Sequence, residues 1–351
     1  MTFGQLLLFH INHKGTTQAE LAKQIGISAT AIGKWIRGEV RRLNCNKVSK
    51  CADALQLNFA EREEFFEVAK CEEPPPPPLP PSSFVPITTR PIPHPSQFFG
   101  RNSLLKGIFN DWKNLPPTHV LLIGQKSSGK TSLLNYVKLI HKIDENSLRE
   151  GQCDHRLLQN YNWVFVNFDN PTMQRPESFL RYVLKTLNLL PDNVHDLADL
   201  TDILSTHLKE PTILLMDNIE IGLKLPELDE IFWGYMRSLA NSVETLGFCV
   251  VSRHPLDQLE ELAKKQGKPS PFINTFTELK LEPFSEDEAR ELLSYSPEEL
   301  SEEDILWILE QSKFWPVLVQ ILLKTRLEDG NNWKAVAKDK LEKYDFLFNI
   351  Q

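Results

Sequence analysis

The residues best suited to chemistry in this chain are Gly124-Gln125-Lys126-Ser127-Ser128-Gly129-Lys130-Thr131, with Ser132 next in line. They fit G-x-x-x-x-G-K-[ST] at every defined position, the spacing of a phosphate-binding loop. In such a loop, backbone N–H groups and the start of the following helix point at phosphate oxygens. Lys130 is placed to reach β- and γ-phosphates, and Thr131 to put its hydroxyl on Mg²⁺. The expected ligands are ATP, or ADP, and Mg²⁺. A second group is Ile213-Leu-Leu-Met-Asp217, an apolar run ending in a carboxylate beside the phosphates, where it can hold Mg²⁺ through water. Asn218 follows directly and cannot usefully take a proton. A third is Arg253, at the end of Phe248-Cys-Val-Val-Ser252. Taken alone, it reads as a surface arginine at a strand end.

These groups need a parallel sheet with helices around it. His119-Val-Leu-Leu-Ile123 has strand length, and residues 132–140 carry apolar positions at helical spacing. Further strands are expected at 163–168, 211–217, 248–252 and 276–281, and helices at about 176–189, 195–208 and 226–245. Ser285 reads as the N-cap of a helix with acids in its first turn. The expected nucleotide domain is 97–283, followed by a helical lid or partial winged-helix-like subdomain over 284–351.

Ahead of this lies a different composition. Residues 1–44 hold six basic residues against two acidic, a local +4, while the whole chain carries −8. A basic head on an acidic body suggests that the head alone meets a polyanion. Residues 1–72 read as an all-helical domain. Thr17 and Glu20 form a capping box, Gly26 turns the chain, and Ser28 caps the helix after it. Two helices around a Gly-containing turn make a helix-turn-helix, with two more expected at 45–56 and 60–70. Pro74 to Pro78 run unbroken, and with Pro80, Pro81, Pro86, Pro91, Pro93 and Pro95 they predict a semi-rigid spacer over 73–96. An SH3-type ligand is the lesser reading of that run. The five cysteines are odd in number and show no C-x-x-C spacing, so reduced thiols are expected rather than disulfides or zinc. No apolar run approaches the ~20 residues of a membrane span, and the start lacks signal-peptide character. A cytoplasmic protein, at the nucleoid when DNA-bound, is expected.

Residues 18–38, from Gln18-Ala-Glu-Leu to Trp35-Ile-Arg-Gly, resemble the Cro/repressor (XRE-type) DNA-binding family. The resemblance implies double-stranded DNA as partner of residues 1–44, with the third helix in the major groove. Ala29, Thr30 and Lys34 then face bases. Gln18 sits at the phosphate or first base, Ser28 is also placed at the DNA, and Arg37, Arg41 and Arg42 meet the phosphate backbone. Ala29 offers only apolar contact, and Gly33 weakens the helix.

The segment Phe98-Phe99-Gly100-Arg101 before the loop resembles the lead-in of STAND-class NTPases, an AAA+-related branch of P-loop proteins. The resemblance implies that Phe99, Gly100 and Arg101 lie by the adenine, that Glu220, three positions after Asp217, orients the attacking water, and that Arg253 at its strand end contacts the γ-phosphate. Leu281-Glu-Pro-Phe-Ser-Glu-Asp-Glu-Ala289 is similar to that class's exit into its helical subdomain. Phe314-Trp-Pro316 is similar to its G-x-P segment, whose proline touches the base, with Phe314 where that segment has Gly. Three readings follow. The first is an ATP-dependent, slowly hydrolysing switch that self-associates and controls DNA binding, as a transcriptional regulator or defence-type switch. The second is an AAA+ ATPase that loads on DNA, of transposition or initiator type. The third is a switch whose head docks a sensor or effector protein. No repeat of 20–50 residues follows the nucleotide domain.

Overall fold

Local signals in the first seventy residues become five helices: α1 (Phe3–His13), α2 (Gln18–Ile25), α3 (Ala29–Ile36), α4 (Cys45–Ala54) and α5 (Phe59–Val68). The computed structural model describes residues 2–40, 43–55, 57, 59–71, 84–140, 148–149, 152, 161–189, 197–268 and 271–348. Arg41, Arg42, the proline run 74–81 and Cys153 lie outside them. The chain divides into two units, residues 1–77 and 78–351.

In the first unit the caps sit where the spacing placed them. Thr17 Oγ1 accepts from the Glu20 amide at 3.2 Å, and Glu20 Oε2 accepts from the Thr17 amide at 2.9 Å. Gly26 closes α2 in the left-handed conformation at φ 67°, which costs a residue without Cβ nothing. Ser28 Oγ accepts from the Ala31 amide and starts α3. Leu7, Leu21, Ile32 and Phe65 are fully buried and join the helices into one core. Lys47, in the first turn of α4, donates to the carbonyls of Ile25 and Gly26 at 3.3 Å, satisfying the open end of α2. The cysteines differ from expectation: Cys45 and Cys71 form a disulfide, with Cα atoms 5.4 Å apart. Packing of α4 and α5 brings together two positions whose separation in sequence gives no sign of pairing. Cys51 and Cys249 are free and buried.

In the second unit α6 (Asn102–Trp112) leads to β1 (Val120–Ile123) and α7 (Lys130–Leu139). Then follow β2 (Asn162–Asn167), α8 (Pro176–Thr186), α9 (Leu197–His207), β3 (Thr212–Asp217), α10 (Ile219–Lys224), α11 (Glu230–Ser242), β4 (Leu246–Ser252), α12 (Leu256–Lys265) and β5 (Thr277–Lys280). The five strands are parallel in the order β2-β3-β4-β1-β5. Strand β3 is buried along its length, as a central strand covered on both faces must be. Val164, Met216 and Phe248 on the sheet pack with Phe179, Leu200 and Trp233 from the helices. Strand β5 is mostly exposed and carries Glu278 and Lys280, charges that discourage further pairing at an edge. The short helix α10 is an addition to the expected elements. It brings Gly222 against Phe168, where a Cβ would lie 3.0 Å from the ring.

Helices α13 (Glu286–Ser294), α14 (Glu302–Ser312), α15 (Pro316–Glu328) and α16 (Trp333–Leu341) form the helical subdomain. Ser285 caps α13 in a full capping box with Glu288. Its core includes Phe84 and Phe99, from the chain ahead of β1. Phe84, expected to lie in the spacer over 73–96, is thus part of this core. The Ile87 amide donates to Gln320 Oε1 at 2.7 Å, and the Ile92 amide donates to Ser132 Oγ at 3.0 Å. Pro86, Pro91 and Pro93 shape an extended strap fixed to the domain. Among the described residues no helix is long and apolar enough to cross a membrane.

Candidate nucleotide site and helix-turn-helix

The β1-to-α7 turn builds a cradle from backbone. Ser127 (φ 65°) and Gly129 (φ 96°) are both left-handed, a geometry that turns successive amides inward. Gly124 must lack a side chain, since a Cβ there would lie 2.4 Å from Ser128 Oγ. Ser128 Oγ is buried without a partner among the described residues. Lys130 Nζ donates to the carbonyls of Gly124 and Gln125, both at 2.7 Å. Burial lowers its pKa to about 8, against the opposing pull of Asp217 and Glu220. An ammonium held by carbonyls in a poorly solvated turn gains from an arriving phosphate.

Thr131 Oγ1 donates to Asp217 Oδ2 at 2.8 Å. Desolvation raises the Asp217 pKa, while the Thr131 hydroxyl and the Asn218 amide act in the opposite sense. Two hard oxygen donors side by side at the phosphate end fit Mg²⁺. The left-handed Ser127 and Gly129 and the buried, unpartnered Ser128 hydroxyl fit an anionic phosphate group.

A cleft of about 270 Å³ opens above the loop. Its floor is Lys126 to Leu133. Its walls are Asn218 and Arg253 from the sheet edge, Pro316, Val317 and Gln320 from α15, and Ile87 to Ile92 from the strap. Phe99 lines it and packs edge-on against Phe84 and Tyr295, at 5.4 and 5.1 Å between ring centroids. Gly100 has φ 65°, and a Cβ there would crowd Phe284 and Glu288. Arg101 is buried and backs the loop: its guanidinium donates to the carbonyls of Ser128, at 3.1 Å, and Glu282. Burial lowers the Arg101 pKa to about 10. Arg253 is exposed at the rim. Glu220 is turned toward β4, and its Oε1 accepts from the Ser252 hydroxyl at 3.1 Å and from the Arg253 amide.

In the head, Gln18, Ser28, Ala29, Thr30, Lys34 and Arg37 are all exposed. The Ser28 hydroxyl is occupied as a cap. Arg37 forks onto Glu39, with N···O distances of 2.6 and 3.3 Å, so its charge is largely compensated. Lys34 is the cation that α3 presents beside Ala29 and Thr30.

The helix-turn-helix family matches residues 11–62. No curated protein matches the chain. Among solved structures the Walker-type ATPase PABY2304 of Pyrococcus abyssi is similar at 16% identity and a TM-score of 0.50, over 74% of this chain and 76% of that one. The second unit has a P-loop ATPase fold. The Aeropyrum pernix ORC2 protein in its ADP form is similar at 13% identity and TM-score 0.45, covering 72% and 67% of the two chains. The Aeropyrum pernix ORC1 protein in complex with DNA gives 13% and 0.45, with coverage of 70% and 66%.

Two contributors escaped the sequence reading. Residues 87–92 were hidden by their prolines, which spell a spacer. Gln320 stands alone among apolar neighbours in Val317-Leu-Val-Gln-Ile-Leu-Leu323. A single amide in such a run, buried in the fold, is the signal that would have marked it.

Proposed function

We propose that this chain is an ATP- and Mg²⁺-dependent molecular switch of the STAND class, with slow hydrolysis, whose helix-turn-helix head binds double-stranded DNA. The observation that carries the reading is the composition of the cleft. A ligand there touches the phosphate-binding loop, the sheet edge, the helical subdomain and the strap at once, so occupancy favours one arrangement of all four. Lys130 binds the β- and γ-phosphates, and Arg253 meets the γ-phosphate. Thr131 and Asp217 hold Mg²⁺, which neutralises phosphate charge when bound. Phe99 and Pro316 enclose the base, while Arg101 stiffens the loop from behind. ATP-dependent self-association raises the effective concentration of heads on DNA and compensates for a readout as thin as Ala29, Thr30 and Lys34. The switch acts in the cytoplasm, at the nucleoid.

Sedimentation of the full chain with and without ATP–Mg²⁺, alongside Lys130→Ala, tests this. Assembly driven by ATP without DNA is expected. Lys130→Ala should abolish it and weaken ATP binding about 10–100-fold, the value of a charge-assisted contact. Assembly only in the presence of duplex supports instead an AAA+ ATPase that loads on DNA. No response to nucleotide or DNA overturns both and leaves a head that docks a protein partner.

A further inference from the structure

Glu220, the carboxylate expected to act on water, has one of its two oxygens engaged. Both of its hydrogen bonds fall on Oε1, from the Ser252 hydroxyl and the Arg253 amide, and tie α10 to the end of β4. That arrangement fixes where Arg253 leaves the sheet. Another carboxylate stands on the opposite flank of Asp217. Strand β2 pairs with β3 so that Asn167 is the register partner of Asp217, and the Phe168 amide donates to the Asp217 carbonyl at 3.2 Å. The next residue, Asp169, is exposed.

Asn218 connects this carboxylate to the cleft. It lines the cleft with Lys130 and Arg253, and its backbone is left-handed at φ 58°. Its Nδ2 donates to Asn167 Oδ1 at 3.1 Å and to Asp169 Oδ2 at 2.7 Å. Asn167 Oδ1 also accepts from the Asp169 amide at 2.9 Å, which holds the turn after β2. Asp169 Oδ1 takes no hydrogen bond from the described residues. The residue after Asp217 therefore lacks a carboxylate of its own but holds one from the neighbouring strand.

We infer that Asp169 is the catalytic base of nucleotide hydrolysis, that Asn218 positions it, and that Glu220 holds Arg253. The inference rests on the ATP-hydrolysing reading above. The water oxygen bonds to the γ-phosphorus. The bond from that phosphorus to the β–γ bridging oxygen breaks, and its electron pair stays on the ADP product. The water's proton passes to Asp169 Oδ1 and then to solvent.

The test uses the full chain and three readouts: ATP binding at equilibrium, steady-state hydrolysis, and the nucleotide carried by the purified protein. Asp169→Asn is expected to bind ATP within about twofold of the parent, lower kcat at least about 100-fold, and carry ATP rather than ADP. Asp169→Glu should recover part of the rate. Asn218→Gly keeps the left-handed backbone while deleting the amide, and should lower kcat with KM little changed. Glu220→Ala, which deletes both hydrogen bonds that a glutamine there would keep, should act mainly on KM, through Arg253. Parental turnover in Asp169→Asn, or loss of kcat with retained ATP in Glu220→Ala alone, overturns the inference. Tight ATP binding by the parent with no hydrolysis overturns it too but leaves the switch intact. Failure of the parent to bind ATP, or binding unchanged in Lys130→Ala, brings down the underlying reading as well.

Discussion

The head and the nucleotide unit put their functional side chains together in opposite ways. In the head, Gln18 to Lys34 lie within one short stretch, are exposed, and stand on helices fixed by their own caps. In the nucleotide unit the site gathers residues far apart in sequence, and its supporting groups are buried. Arg101 reaches Ser128 and Glu282, and the strap amide of Ile87 reaches Gln320. A surface built locally can change one contact at a time. A cleft built from distant parts couples them, so disturbing one wall disturbs the others.

Arg101→Ala should show the contrast most strongly. It strips two carbonyls of a buried charged donor and should cost about 2–4 kcal/mol, read as a lower denaturation midpoint of the nucleotide unit. Arg101→Lys should recover little, since an ammonium cannot reproduce the fork. In the head, Lys34→Ala and Thr30→Ala should leave folding unchanged and each cost about 1–3 kcal/mol of DNA binding, measured by duplex titration at fixed salt. Loss of folding in these variants would break the distinction between the two regions.

The capping boxes sharpen it. Thr17→Ala and Ser285→Ala delete the same local motif in the two units and should each cost about 1 kcal/mol. Similar losses by thermal melting would show that the units differ in long-range assembly and not in helix chemistry. The smallest expected effect is acid sensitivity in α1. His10 is buried beside Phe65, and neither ring nitrogen has a partner among the described residues. Desolvation holds its pKa below the usual 6.5, against the pull of Glu61 and with smaller help from Lys14 and His13. The unfolded chain therefore binds the proton more readily. The contribution is present above pH 6.5 and is lost as pH falls through that value toward the folded pKa. Amide exchange in α1 should accelerate below that pH, and His10→Leu should flatten the response.

The same contrast governs what the sequence made legible. The helix-turn-helix, its caps, the phosphate-binding loop and the buried strands rest on signals only a few residues long, and those elements lie within a few residues of where periodicity put them. The Cys45–Cys71 pairing, the grip of Arg101 on Ser128, the strap and the link from Asn218 to Asp169 depend on which distant segments meet. Prolines added a false cue, because an extended segment pinned to a domain and one spanning between domains have the same composition. Helix α10 escaped because six residues give too little periodicity.

The strap also sets an order of events during synthesis. Ile87 and the glutamine that accepts its amide hydrogen are 233 residues apart. At about 5–20 residues per second, a ribosome needs roughly 10–50 s to span that gap. For that interval the five-helix head is complete and outside the ribosome, while the wall beside the phosphate-binding loop has nothing to lean on. The nascent chain thus has all five helices of its head before the cleft beside the loop has its last wall.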